Sequence, residues 1–236
     1  MTKPKISVVI PTLNEEKYIE QTLKSIKNQD YKGRVEIVVV DGGSKDRTVK
    51  IASKYADKTI VIGKGVAKER NTGAWATKSD LIVFVDADTI LFYNTLSELE
   101  KDFDDRSVVA STCPVISTSP IVKDFIPYLV FSQMVKLSIK AKTSMISGCC
   151  IACRKDVFEH VGGFNEDMQT GEDFEFSKKL SKQGKIVFNE RTFVMTSPRR
   201  LVKWGAGKSA AKYMEFYIKN HMIGRTVSMK EYGYIR

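Results

Sequence analysis

Asp86 and Asp88 stand one residue apart, on either side of Ala87, where the apolar run Leu81–Val85 ends. Two carboxylates in that position suit a hard divalent cation that keeps some of its waters and takes phosphate oxygens as further ligands. The same triplet can also serve as a solvated turn and helix cap. Other polar groups sit at comparable points in the chain. Thr12 and Asn14 follow the run Lys5–Ile10, and Asp41 follows Val35–Val40. Glu172 and Asp173 open a helical pattern, where a carboxylate can act as a base or simply cap the helix and oppose its dipole. Arg199 and Arg200 can fork a phosphate or form a surface pair.

These residues need a scaffold, and the chain supplies a regular one. Leu81–Val85 is too short for a typical helix and too apolar for a half-exposed strand, so it is expected as a strand buried on both faces. Before it, β-branched runs at Lys5–Ile10, Val35–Val40 and Thr59–Ile62 alternate with helical patterns. Thr12 or Asn14 is expected to cap the first helix, and Ser44 or Asp46 the second. The alternation predicts right-handed βαβ units and a mostly parallel central sheet between helices, an α/β fold. Ligands in such sheets bind beyond the carboxyl ends of strands, where Thr12/Asn14, Asp41 and Asp86/Asp88 all fall. One such coincidence is explained by capping; three point to a site.

The second half is less regular. A helix is expected over Asn94–Phe103, a strand near Val108–Ile116, a long helical segment over Pro120–Lys142 and a strand over Met145–Cys153. A helix over Arg154–Val161 and another opening at Glu172 follow. Closing strands are expected at Ile186–Phe188 and Phe193–Thr196, and a last helix from about Trp204 to His221. With no linker or repeat in view, residues 1–236 are expected to form one domain. Residues 1–117 would be its first half, 118–202 its second half, and 203–236 an amphipathic helix and tail.

Composition narrows the class. The chain has 236 residues and a net charge of +10, with lysine and arginine spread along its whole length. Such a surface favours polyanions, whether nucleic acid, acidic lipid or phosphorylated small molecules. No stretch reaches the ~18 apolar residues of a membrane span, and no leader is recognisable, so a cytoplasmic location is expected, with the inner face of the membrane open. Cys113, Cys149, Cys150 and Cys153 include a C-x-x-C spacing, but no second pair accompanies it, and small buried thiols are expected.

The collected segments resemble the family 2 glycosyltransferases of GT-A fold. The resemblance is carried by Ser7–Glu15, Val38–Ser44, Arg70–Gly73, Asp86–Asp88, Gly162–Glu166 and Glu172–Asp173, in the family's order. It implies an inverting, non-processive hexosyltransferase that uses a UDP- or GDP-linked sugar, with residues 1–117 as its nucleotide-sugar-binding half and 118–202 as its acceptor and catalytic half. The donor nucleotide would lie against Pro11, Thr12, Asn14, Glu15, Asp41, Ser44, Gly65, Arg70, Asn71, Asp86 and Ala87. Asp41 can accept from a base N–H and Glu15 from ribose hydroxyls. Lys68 and Arg70 would lean toward phosphate or sugar, with a solvated helix face as the other reading of Lys68. Asp86 and Asp88 would hold Mg²⁺ or Mn²⁺, Asp88 most directly. Asp173, beside Glu172, would be the general base, Arg199 and Arg200 would contact phosphate, and Gly148 would face the acceptor.

The resemblance has its departures. Processive members carry Q-x-x-R-W, whereas Ser197–Trp204 matches it only loosely, which argues against a polymer synthase. A sugar-phosphate nucleotidyltransferase would need Gly and Arg in the loop after the first strand, and Pro11–Glu15 has neither. A nucleic-acid-binding module would interleave aromatic and basic residues on one face, a pattern the sequence lacks. The acceptor is expected to be a sugar or a lipid-linked molecule. The Pro120–Lys142 segment would form its side of the cleft together with a basic helix carrying Trp204, Ala211, Met214, Ile218 and Met222. Peripheral membrane contact and a homodimer both fit such a helix.

Overall fold

The structure, a computed structural model, describes residues 5–168, 170–205 and 208. A seven-stranded sheet forms its centre, in the order β3-β2-β1-β4-β8-β6-β9. These strands are β1 Ile6–Thr12, β2 Val35–Asp41, β3 Lys58–Val61, β4 Leu81–Val85, β6 Val108–Thr112, β8 Cys150–Arg154 and β9 Lys185–Phe188. β1, β2, β3 and β4 pair in parallel, as expected from the alternating pattern. β8 is the reversed strand, antiparallel to both β4 and β6.

The apolar runs bury both faces of this sheet. Ile6, Val8, Ile10, Val83 and Val85 point into one core with Ile19 and Leu23 of α1, Ile19–Lys27. Val9, Ile82 and Phe84 point into the other, with Phe158 of α6, Lys155–His160, and Phe176 of α7, Glu172–Ser181. The second core also receives α3, Val66–Trp75, which lies on β1 and β2. A Cβ at Gly73 would stand 2.4 Å from Val9 Cγ1, so only glycine lets this helix approach so closely.

Several boundaries differ from expectation. The 108–116 region is not one strand: β6 ends at Thr112, and β7, Val115–Ser117, joins a separate three-stranded sheet, β5-β10-β7. The other strands of that sheet are β5, Thr89–Leu91, and β10, Val194–Thr196. The strand expected from Met145 begins only at Cys150. Met145 and Ile146 are buried in a loop, so their apolar character marks core contact and not extension. Neither Thr12 nor Asn14 caps α1, whose cap position is Tyr18. α2 is Thr48–Ala52, α4 Thr95–Asp102 and α5 Val122–Lys140. α8, Arg199–Trp204, is the last described element, and the helix expected to His221 lies outside the described residues. The four cysteines are free, three of them buried.

Candidate active site

Parallel pairing brings the strand ends level. Thr12 is the register partner of Asp41, and Val9 that of Phe84, so Asp86 emerges beside the end of β1. The first two turns then lock together. Asn14, at φ 56°, accepts from the Lys45 N–H through Oδ1 at 2.8 Å, and its own N–H donates to Ser44 Oγ at 2.7 Å. Asp41 is fully buried and accepts from the N–H groups of Gly43 and Ser44 and from the Ser44 hydroxyl. Its carboxylate thereby shapes the turn after β2. Thr12 Oγ1 is buried with no hydrogen-bond partner.

Arg70 organises the next layer. Its guanidinium donates to Asp86 Oδ1 at 2.8 Å and to Glu172 Oε1 at 2.6 Å, with only 3% of the side chain exposed. Burial works against its charge, but Asp86, Glu172 and Asp173 outweigh that and raise its pKa. The guanidinium also lies over the Phe164 ring, 5.3 Å from the centroid, above the cluster of Phe84, Phe158, Phe164 and Phe176. Arg70 is thus the clamp between the end of β4 and the start of α7. Lys68 on the same helix is exposed.

Two neighbours complete this layer. A Cβ at Gly148 would stand 2.3 Å from Arg70 Nη2, so Gly148 leaves the space that the clamp fills. Its N–H donates to Asp173 Oδ2 at 2.8 Å. Burial, and then the charge of Glu172, push the Asp173 carboxyl up to about 7, against the pull of Arg70. Asn71 donates to the Phe164 carbonyl and to Glu166 Oε1 and accepts from the Phe164 N–H, fixing the Gly162–Glu166 segment beside the clamp. Gly65 donates its N–H to Glu69 Oε1 at 3.0 Å, so its role here is to shape the start of α3.

Asp88 lies on the other side of Ala87. Arg199 reaches it at 3.1 Å and grips Glu15 with two bonds, at 2.7 and 2.8 Å. Burial pushes the Asp88 carboxyl up to about 6, partly offset by Arg199 and reinforced by Asp86 and Glu15. Both Glu15 oxygens, expected to face ribose, are held by arginine in this structure, and Arg199, expected on phosphate, is held by carboxylates. Arg200 is exposed. Arg199 is the cation that Asp88 binds in this structure. Two hard oxygen donors with the rest of the shell left to water and phosphate fit Mg²⁺ or Mn²⁺. No group of three His, Cys, Asp or Glu side chains among the described residues makes a protein-only cage.

The sequence model of "Glycosyl transferase family 2" matches residues 7–162. The chain belongs to this family. "Probable glycosyltransferase YdaM" of Bacillus subtilis is 30% identical over 200 residues, covering 77% of this chain and 47% of that protein. "Poly(ribitol-phosphate) beta-N-acetylglucosaminyltransferase TarS" of Staphylococcus aureus is 35% identical over 110 residues, covering 43% of this chain and 19% of that one. The chain therefore spans less than half the length of these two relatives. The fold is also that of a mannosyltransferase from Pyrobaculum calidifontis solved with GDP-Man and Mn²⁺. That structure has TM-score 0.71 at 23% identity and covers 94% of this chain and 63% of its own. The family match includes the turns after β1, β2 and β4 and ends before α7, so Glu172, Asp173 and Arg199 are connected to the site by the structure.

Arg70 was expected toward phosphate or sugar and Gly148 at the acceptor; their contacts with Asp86, Glu172 and Asp173 were not part of that expectation. The available signal was an arginine between the small residues Ala67, Gly73 and Ala74 on α3, which marks Arg70 as inward-facing but does not name its partners.

Proposed function

We propose that the chain catalyses transfer of a sugar from a nucleoside-diphosphate sugar to an acceptor hydroxyl or lipid phosphate, by direct displacement with inversion. The observation that carries this reading is the Arg70 bridge. It joins Asp86 at the end of β4 to Glu172 at the start of α7, which brings these two carboxylates onto one guanidinium. Family membership, and neighbours of the same fold solved with GDP-Man and with UDP, support a nucleotide-sugar donor.

The donor's base and ribose would lie against the interlocked turns at Thr12–Glu15 and Asp41–Ser44, where Thr12 Oγ1 has a hydrogen bond still to make. The diphosphate would lie toward Asp88, Asp86 and Ala87. A Mg²⁺ or Mn²⁺ ion held by Asp86 and Asp88 would supply positive charge to the departing diphosphate, an effect of several kcal/mol in general. Arg199 would exchange its carboxylate partners for phosphate oxygens, with Arg200 beside it. The ion would then take over the negative charge of Asp88 that Arg199 balances.

Asp173 would take the proton of the acceptor hydroxyl. A carboxyl with its pKa near the working pH is both ionised often enough and basic enough for this role, worth about 10²–10⁴-fold. Arg70 and the Gly148 N–H hold it in place and stop burial from neutralising it altogether. The acceptor oxygen forms its bond to the anomeric carbon as the bond to the diphosphate oxygen breaks, and the leaving oxygen keeps that electron pair. Glu172, bound to the clamp, would set the position of Asp173.

Asp173→Asn tests the assignment. Nucleotide-sugar binding should persist and transfer should fall by about 10²–10⁴-fold. Simultaneous loss of binding and transfer would make Asp173 a structural residue and remove the base from the scheme.

A further inference from the structure

The helix α5 turns three polar residues inward and leaves five apolar ones exposed. Its inward side carries Asp124, Ser132 and Ser138 beside Val135. Each polar group there is satisfied. Ser119 donates to Asp124 at 2.8 Å, Ser132 bridges the N–H and C=O of Val115 at 2.9 Å each, and Ser138 donates to the Val135 carbonyl at 2.7 Å. Its outward side carries Val122, Ile126, Leu129, Val130 and Leu137, exposed by 69, 52, 41, 55 and 63%. These residues recur at helical spacing and form one stripe. Single exposed apolar residues are ordinary, but five on one side of a 19-residue helix, interrupted by the exposed Gln133, mark a surface that is covered in use.

The charges select the cover. Lys123 and Lys140 are exposed near the two ends of the helix, Lys142 lies just beyond, and the helix's own acid, Asp124, is buried. A second copy laid on this helix would meet like charge in either direction. Parallel helices would set Lys123 against Lys123, and antiparallel helices would set Lys123 against Lys140. A negatively charged plane complements both ends at once, and the net charge of +10 adds long-range attraction to it.

We propose that α5 lies flat on an anionic lipid bilayer, with Val122, Ile126, Val130 and Leu137 in the acyl boundary and Lys123 and Lys140 on the headgroups. No helix among the described residues is long and apolar enough to cross a membrane, which fits an in-plane arrangement for α5. The docked helix is close to the site. Tyr128 donates to the Ser197 carbonyl at 3.2 Å, and the Ser197 N–H donates to the Asp88 carbonyl at 3.3 Å. Docking does not depend on the transferase reading; its consequence, that a lipid-borne acceptor would reach the cleft from the bilayer, does rest on that reading.

The test is co-sedimentation of the full chain with vesicles, without nucleotide, so that its outcome is separable from any assay of transfer. Wild type should pellet with phosphatidylglycerol-containing vesicles and bind phosphatidylcholine vesicles about ten-fold less, and about 0.5 M salt should release it. Val130→Glu with Leu137→Glu, and separately Lys123→Glu with Lys140→Glu, should each lower partitioning more than about ten-fold. All four positions are exposed, so melting temperature and circular dichroism should stay at wild-type values. Failure of wild type to bind anionic vesicles, or equal binding by both folded variants, overturns the proposal. So does a dimer that the Val130→Glu, Leu137→Glu variant splits while no vesicles are bound, since a second copy would then cover the face.

Discussion

Gly148→Ala tests the clamp at its tightest point. The added methyl would lie 2.3 Å from Arg70 Nη2 and 3.1 Å from its Cζ, well inside contact distance. The methyl cannot yield, because the Gly148 N–H is bound to Asp173, so the guanidinium must move. Moving it lengthens the 2.8 Å bond to Asp86 and the 2.6 Å bond to Glu172. Complete rupture of a buried pair costs about 3–5 kcal/mol, and overpacking with partial relaxation costs about 1–3 kcal/mol. A loss of about 2–4 kcal/mol is therefore expected, or roughly 4–16 °C in melting temperature for a domain of this size. Arg70 also lowers the pKa of Asp173, so its displacement should move the acidic limb of the rate profile to higher pH. Urea denaturation and a pH–rate profile measure both effects. A variant that melts within about 1 °C of wild type with an unmoved profile would refute the clamp.

Two further outcomes follow from the same carboxylates. Asp173 titrates near 7 in the fold against about 3.9 in an unfolded chain, so the folded state holds the extra proton between those values. Stability should fall as pH rises through that window, while transfer should rise with ionisation of Asp173 and level off above about pH 7; Asp173→Asn should abolish this component of both curves. Arg199→Met should strip Glu15 and Asp88 of their shared cation. The metal-free protein should lose about 2–4 kcal/mol, and added Mn²⁺ should raise its melting temperature more than that of wild type.

The nucleotide half of the molecule was readable because its physics is local. Runs such as Val35–Val40 and Leu81–Val85 can only be strands buried on both sides, and the polar residue after each run then falls at one sheet edge. The reversed strand β8 was not readable as such, because apolar Met145–Ile146 looks like an extension of it although these residues lie in a loop. The 108–116 segment was misread for a similar reason, since two strands of different sheets are joined there by Cys113–Pro114. In the site, residue types announced the acids but not their partners. Arg70 and Glu172 lie 102 residues apart, and no spacing rule predicts which arginine neutralises which carboxylate. Arg199 was expected on phosphate, and its hold on Glu15 is visible only once α8 is set against the first turn. The inverted faces of α5 were equally hidden, because its serines and apolar residues both recur at helical spacing and only packing shows which side is inward.

The central claim is that separate strand ends and the start of α7 build one cleft for a metal-bound nucleoside diphosphate. Its most direct test is a titration of UDP and GDP into wild type and Asp88→Ala, each with and without Mn²⁺, followed by calorimetry. One nucleotide should bind wild type at least about ten-fold more tightly when Mn²⁺ is present, and the substitution should erase that difference while leaving the fold intact. Nucleotide binding indifferent to Mn²⁺ in wild type, or a metal effect undiminished in Asp88→Ala, would contradict the account.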